Sequence, residues 1–228
     1  TDSSETLLGY DSQYDFYNPI ILNDAVTNMS HNRQFTVNGG FNFDITKDIK
    51  FRTSGSYLFR QLRSDYWDDG RTKTAQNNGG PYGSRNNSEK YTWQITNTLN
   101  WKHTYGEHNV GLLLGQEVNY SQSLNLNNSY YEFPLNNFGL NDVSQASNAK
   151  NTYSSGLGRN SLSSFFGRGS YSYKGRYIAN VTLRADGSSR FGPANKWAYF
   201  PSASAAWRIS DEKFMQNQNF VSNLKLRV

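Results

Sequence analysis

Apolar and polar residues alternate along most of this chain. Phe35, Val37, Gly39, Phe41 and Phe43 interleave with Gln34, Thr36, Asn38, Gly40 and Asn42, a period of two that gathers the apolar groups on one face of an extended strand. The third such segment is the clearest: Tyr91, Trp93, Ile95, Leu99 and Trp101 oppose Thr92, Gln94, Thr96, Thr98 and Asn100. The same reading predicts strands near 33–44, 49–61, 91–101, 109–121, 161–173, 177–186, 197–210 and 224–228.

The connections between these segments alternate. Those at 44–48, 102–108 and 174–176 are short, whereas 62–90 and 121–160 are long. Tight turns at one end and long loops at the other are the habit of a transmembrane β-barrel, and strands of roughly nine to twelve residues suit a tilted crossing. Alternation alone separates a barrel from a soluble sandwich only mildly; the loop asymmetry turns this into a clear preference. The polar faces carry Lys50, Arg52, Arg60, Arg168, Arg184 and Arg208. A closed barrel of about eight strands has an interior just filled by side chains, so such faces suit a wider lumen. The fold class expected is all-β, an arc of about eight antiparallel strands from a large transmembrane β-barrel. Residues 32–228 are its wall and 1–31 an extracellular loop remnant.

Composition sharpens this picture. The chain is 15% aromatic yet has a mean hydropathy of −0.79. No stretch approaches the ~20 apolar residues of a spanning helix, and a disordered chain would be poor in aromatics. Strands with one wet and one apolar face reconcile the two values. The net charge of +5 is scattered rather than clustered, which argues against nucleic acid as a partner. With no cysteine, disulfides, zinc–thiolate sites and thiol nucleophiles are excluded. The N-terminus lacks the basic and apolar regions of a leader, and the alternation of Leu224–Val228 ends without a closing turn. Both features lead us to expect a piece of a longer mature barrel.

Three stretches carry a resemblance. The first is the hairpin from Ser164-Phe165-Phe166-Gly167-Arg168-Gly169 through Lys174-Gly175-Arg176-Tyr177, running on into Arg184-Ala185-Asp186-Gly187-Ser188-Ser189-Arg190-Phe191-Gly192. The second is Tyr199-Phe200-Pro201-Ser202 with its flanks, and the third Leu224-Lys225-Leu226-Arg227. This order resembles the barrel of SusC/RagA-type TonB-dependent outer-membrane transporters of Bacteroidota, and His108–Glu117 resembles the hairpin before it. The likeness spans roughly residues 90–228; residues 1–89 match in style alone. The resemblance implies a bacterial outer-membrane barrel of about 22 strands closed by a plug, importing oligosaccharides or peptides. It further implies a SusD-like surface lipoprotein as lid, TonB engaged through an N-terminal part outside these residues, and outer-membrane lipid around the wall. Rival readings are a soluble all-β glycan-binding module and a small eight-stranded outer-membrane barrel.

Candidate contacts lie in the long connections. Tyr66, Trp67, Asp68 and Asp69, followed by Tyr82 and Arg85, combine aromatics with charge. Such a set can stack on sugar rings and bind hydroxyls, or form a solvated or lid-docking surface. Tyr130 and Tyr131, beside Glu132-Phe133-Pro134, offer a substrate or lid contact; a small core that orders the long loop is the favoured account. Arg184, Asp186 and Arg190, with Arg168 nearby, read as a structural motif in which Asp186 pairs with one arginine and Gly187 permits a turn. No catalytic constellation, metal site or cofactor motif is found. His31, His103 and His108 lack the partners of a triad or metal cluster, and the glycine-rich stretches lack the strand-to-helix context of a phosphate loop. A non-enzymatic role is expected.

Overall fold

The computed structural model describes all residues except 1–9, 12–15, 18, 135–137 and 216–219. β1 (Tyr10–Asp11) and β2 (Phe16–Tyr17) pair with each other, and α1 (Pro19–Ala25) follows. Next come β3 (Val26–Asp44), β4 (Ile49–Asp68), α2 (Lys73–Asn77), β5 (Tyr82–Tyr105) and β6 (His108–Tyr130). The series ends with β7 (Thr152–Tyr173), β8 (Tyr177–Ser188), β9 (Trp197–Arg208) and β10 (Lys225–Arg227). Among the described residues β3 to β10 form one eight-stranded sheet in which each strand pairs with its neighbour in sequence. No helix of the described residues is long and apolar enough to cross a membrane.

The short connections are built for reversal. Between β3 and β4, the Thr46 hydroxyl oxygen accepts from the Asp48 and Ile49 amides at 3.2 and 3.1 Å. Between β7 and β8, Lys174 and Gly175 both take positive φ (51° and 66°), and the Arg176 amide donates to the Tyr173 carbonyl at 2.9 Å, which closes a tight reversal.

Register separates the two faces. Phe165, Gly167, Gly169 and Tyr171 pair with Ala185, Leu183, Val181 and Ala179, which pair in turn with Tyr199, Pro201, Ala203 and Ala205. The intervening rows join Arg168, Thr182 and Ser202, and Ser170, Asn180 and Ser204. The apolar face stays open: Val181 is 62% and Tyr199 68% exposed. An unbroken apolar surface of this kind is costly in water and native to lipid. Rings crowd its short-turn end, where Tyr177 stacks with Tyr173 and Trp207 at centroid distances of 6.3 and 6.4 Å.

Strand bounds depart from those read from sequence. β4 runs on to Asp68 rather than 61, β5 starts at Tyr82 rather than 91, β6 reaches Tyr130 rather than 121, and β7 begins at Thr152 rather than 161. Polar residues enter both faces of these extensions, so the period of two in hydropathy weakens while strand pairing continues. β3 likewise starts at Val26, inside the segment assigned to a loop; much of the remaining 1–31 assignment lies outside the described residues. β9 stops at Arg208 because Ile209–Asp211 turns into a 3-10 helix.

Packing divides the chain into two units. One holds the strand ends up to Phe35 with Leu58–Tyr91 and Gln122–Gly158; the other holds Thr36–Tyr57, Thr92–Ser121 and Arg159–Val228. The hydrophobic core belongs to the first, where Tyr130, Phe133, Leu140 and Ala146 are buried and Trp67 and Val143 pack against them.

Candidate functional site

In the first unit, three tyrosines from two strands and a loop converge. Tyr66 lies on the face of β4 that carries Arg60 and Ser64, as alternation dictates. Its hydroxyl stands 3.2 Å from that of Tyr82, with ring centroids 5.7 Å apart. Tyr131 stacks on Tyr82 at 5.9 Å and 4° between planes. All three are half-buried. Together they present flat apolar rings rimmed by hydroxyls, a surface suited to a sugar ring or a peptide side chain.

The other candidates in these connections frame that cluster. Trp67 meets Phe133 edge-on at 4.9 Å, and Tyr130 is buried against Tyr153 at 6.1 Å. Asp68 is buried: its carboxylate accepts from the Thr72 hydroxyl at 2.5 Å and the Gly70 amide at 3.1 Å, and Thr72 in turn caps α2. Asp69 pairs with Arg71, which also reaches Asp24 at 2.8 Å. Arg85 and Arg63 share the buried carboxylate of Asp65 at 3.0 and 2.5 Å. The sequence reading missed Asp65 and Arg63 as partners because it left both in a loop; in β4 they sit two residues apart on one face. Glu132 contacts Lys150, and that ammonium together with a bond from Ser147 holds its carboxyl below the usual range.

In the second unit, the polar face carries a connected network. Arg184 donates through Nε to Asp186 at 2.7 Å and through Nη2 to Ser164 at 3.0 Å, and lies 3.6 Å from Glu117. Glu117 accepts from Gln94 at 3.0 Å and Thr96 at 3.2 Å. The Arg184 guanidinium also sits 5.6 Å from the centroid of the Phe166 ring. Arg168 donates to Asn180 at 3.1 Å. Arg190 stands apart from this cluster, exposed in the turn after β8, where its amide donates to Ser188. Gly187 makes no turn: it is paired within β8, and the Trp197 indole lies where a Cβ would come within 2.9 Å. Close approach, rather than a reversal, requires glycine there.

At the short-turn end, Glu212 accepts from Tyr177 at 2.7 Å, Trp207 at 3.1 Å and Arg176 at 3.2 Å. His103 bonds Asp48 and His108 bonds Tyr171, each at 2.7 Å. Among the described residues, no group of three or more His, Asp or Glu side chains is placed to hold a metal ion.

Comparison with known proteins adds three findings. The family described as "TonB dependent receptor-like, beta-barrel" matches residues 1–227. TonB-dependent receptor P26 of Formosa agariphila is 27% identical over 98% of this chain and 24% of its own length, and TonB-dependent receptor SusC of Bacteroides thetaiotaomicron is 49% identical over 31% of this chain and 7% of its own. The structure of the RagAB peptide transporter superposes with a TM-score of 0.81 at 21% identity, covering 92% of this chain and 23% of that one. The chain thus spans less than a quarter of the length of these relatives.

Proposed function

This chain belongs to the TonB-dependent receptor-like β-barrel family, and on that footing we propose that it forms part of the wall of a SusC/RagA-type transporter in the bacterial outer membrane, importing oligosaccharides or peptides beneath a SusD-like surface lipoprotein. One observation carries the reading: a single antiparallel sheet sets an exposed apolar face against a hydrogen-bonded polar one. Lipid covers the first and the second lines a hydrated path. By the usual polarity of such barrels the long-loop end is extracellular, so Tyr66, Tyr82 and Tyr131 meet the ligand early. Capture by loops and lid precedes movement of the plug and passage through the lumen. TonB acts through a part of the transporter outside these residues. No bond in the substrate is made or broken.

The test uses the full-length transporter in a host deleted for it. The protein should fractionate with outer membranes, and uptake should cease when TonB is inactivated. Replacing Tyr82 and Tyr131 by alanine should raise the half-saturating ligand concentration about five-fold per ring removed at unchanged barrel abundance. Uptake indifferent to both rings removes them from the ligand path, and recovery in the soluble fraction overturns the transporter reading.

A further inference from the structure

Within the long-loop unit, one face of β3, β4 and β5 changes character over two residues. Phe35, Phe59 and Tyr91 are apolar or aromatic, and the next positions outward on that face are Arg33, Gln61 and Glu89. Beyond the step lies a cavity of about 450 Å³ lined by His31, Arg33, Gln61, Arg63 and Asn87. Every lining side chain can donate a hydrogen bond, and no carboxylate is among them.

The charges around the cavity favour an anion. The nearest acids are already engaged: Asp65 is buried between Arg63 and Arg85, and Glu89 accepts from Gln61 at 3.1 Å. The neutral Gln61 amide leaves Glu89 its charge, yet Arg33, Arg63 and Arg85 outweigh the carboxylates of Asp65 and Glu89, which leaves a surplus positive charge. Arg63 spends Nε and Nη2 on Asp65, which leaves Nη1 for a ligand. Arg33 is exposed and makes no ion pair among the described residues. Two guanidiniums backed by an imidazole and two amides match the oxygens of a phosphate group.

We propose that this cavity binds the phosphate of an outer-leaflet glycolipid headgroup. The inference rests on the outer-membrane reading above. What selects a lipid over a soluble anion is the apolar step: Phe35, 60% exposed, lies one turn of the pleat from Arg33 on the same face. A phosphate held at Arg33 and Arg63 therefore brings its attached acyl chains against the apolar residues. Basic side chains beside an apolar band are the usual device for holding anionic headgroups.

The experiment is native mass spectrometry of the full-length transporter in mild detergent, with wild type compared with Arg33→Gln. Lys213→Gln, in an exposed 3-10 turn remote in sequence, is the charge-matched control. Heat-modifiable electrophoretic mobility shows that each barrel is folded, and outer-membrane fractionation tests the underlying reading separately. Retention of added phosphorylated glycolipid should fall about five-fold in Arg33→Gln, from the ~1 kcal/mol a basic residue gains at an anionic surface, and stay unchanged in Lys213→Gln. The dephosphorylated glycolipid should be retained weakly by both. Equal retention by wild type and Arg33→Gln, or of the two lipid forms, overturns the proposal. Displacement by millimolar inorganic phosphate as effective as by the lipid overturns it in favour of a soluble-anion site.

Discussion

Phe166 rests directly on Gly115: a Cβ at that glycine would fall 2.2 Å from Cε2 and Cζ of the ring. The pair explains why an aromatic ring is found among the polar residues of its face. With its tip against Gly115, the ring has the Arg184 guanidinium 5.6 Å from its centroid, which helps order the arginine that joins Ser164, Asp186 and Glu117. Gly115→Ala must lift the ring, at about 1–3 kcal/mol for an overpacked contact. The fraction of barrel with folded, heat-modifiable mobility in a urea series should drop, and the double variant Gly115→Ala, Phe166→Ala should recover part of the loss. Strictly additive losses would show that the two residues act separately.

Asp186 and Arg190 should behave differently. Asp186→Ala strips Arg184 of its closest carboxylate and should cost about 1–2 kcal/mol, discounted for partial exposure, seen as less assembled barrel in the membrane. Arg190→Ala should leave assembly unchanged. Normal assembly of Asp186→Ala with lost uptake would assign the pair to ligand recognition instead.

Phe133 ties the two long connections together: it is buried against Trp67, and its amide donates to the Pro81 carbonyl at 3.1 Å. Phe133→Ala should open this core at about 3–5 kcal/mol. Hydrogen exchange should speed up in 131–134 and 138–151 while the paired strands β7 to β9 keep their protection. Loss of protection throughout the sheet would mean that the loop core supports the wall itself.

Acid should release the segment after β9. The Tyr177 hydroxyl first, then the Trp207 indole N–H, hold the Glu212 carboxyl below its ordinary value, with Arg176 adding charge and partial burial opposing. A depressed carboxyl adds stability that is complete above its unfolded-state pKa and disappears as pH falls through the folded value. The window therefore lies below about 4.3. The fluorescence of Trp207, taken as the difference between wild type and Trp207→Phe, should be constant from neutral pH to about 5 and change at lower pH. In Glu212→Gln that acid transition should be absent; its persistence would place the titrating group elsewhere.

Much of the wall could be read directly from residue order. Where one face of a strand is apolar and the other wet, as from Phe35 to Phe43 or Tyr91 to Trp101, every residue reports its side and the period of two is unmistakable. The charged motif of β8 was legible as Asp186 paired with one arginine; the strand register selects Arg184, two residues away on the same face, over Arg190. Legibility failed where polar residues enter both faces. From Gln61 to Asp68 or Thr152 to Asn160 the strands persist through backbone pairing and, in the first, polar and ring contacts across strands such as Asp65 with Arg85, which hydropathy does not record.

What the chain alone determined, then, is the class of structure: alternating strands, short turns against long loops, and no helical span, all written in local order. What only the tertiary structure decided is which distant residues meet. Tyr66, Tyr82 and Tyr131 become one cluster, Glu117 and Ser164 join Arg184, and Trp197 covers Gly187, because strand register and loop packing bring together positions far apart in the chain. Register depends on cooperative pairing across the whole sheet, and a window along one strand cannot contain that information.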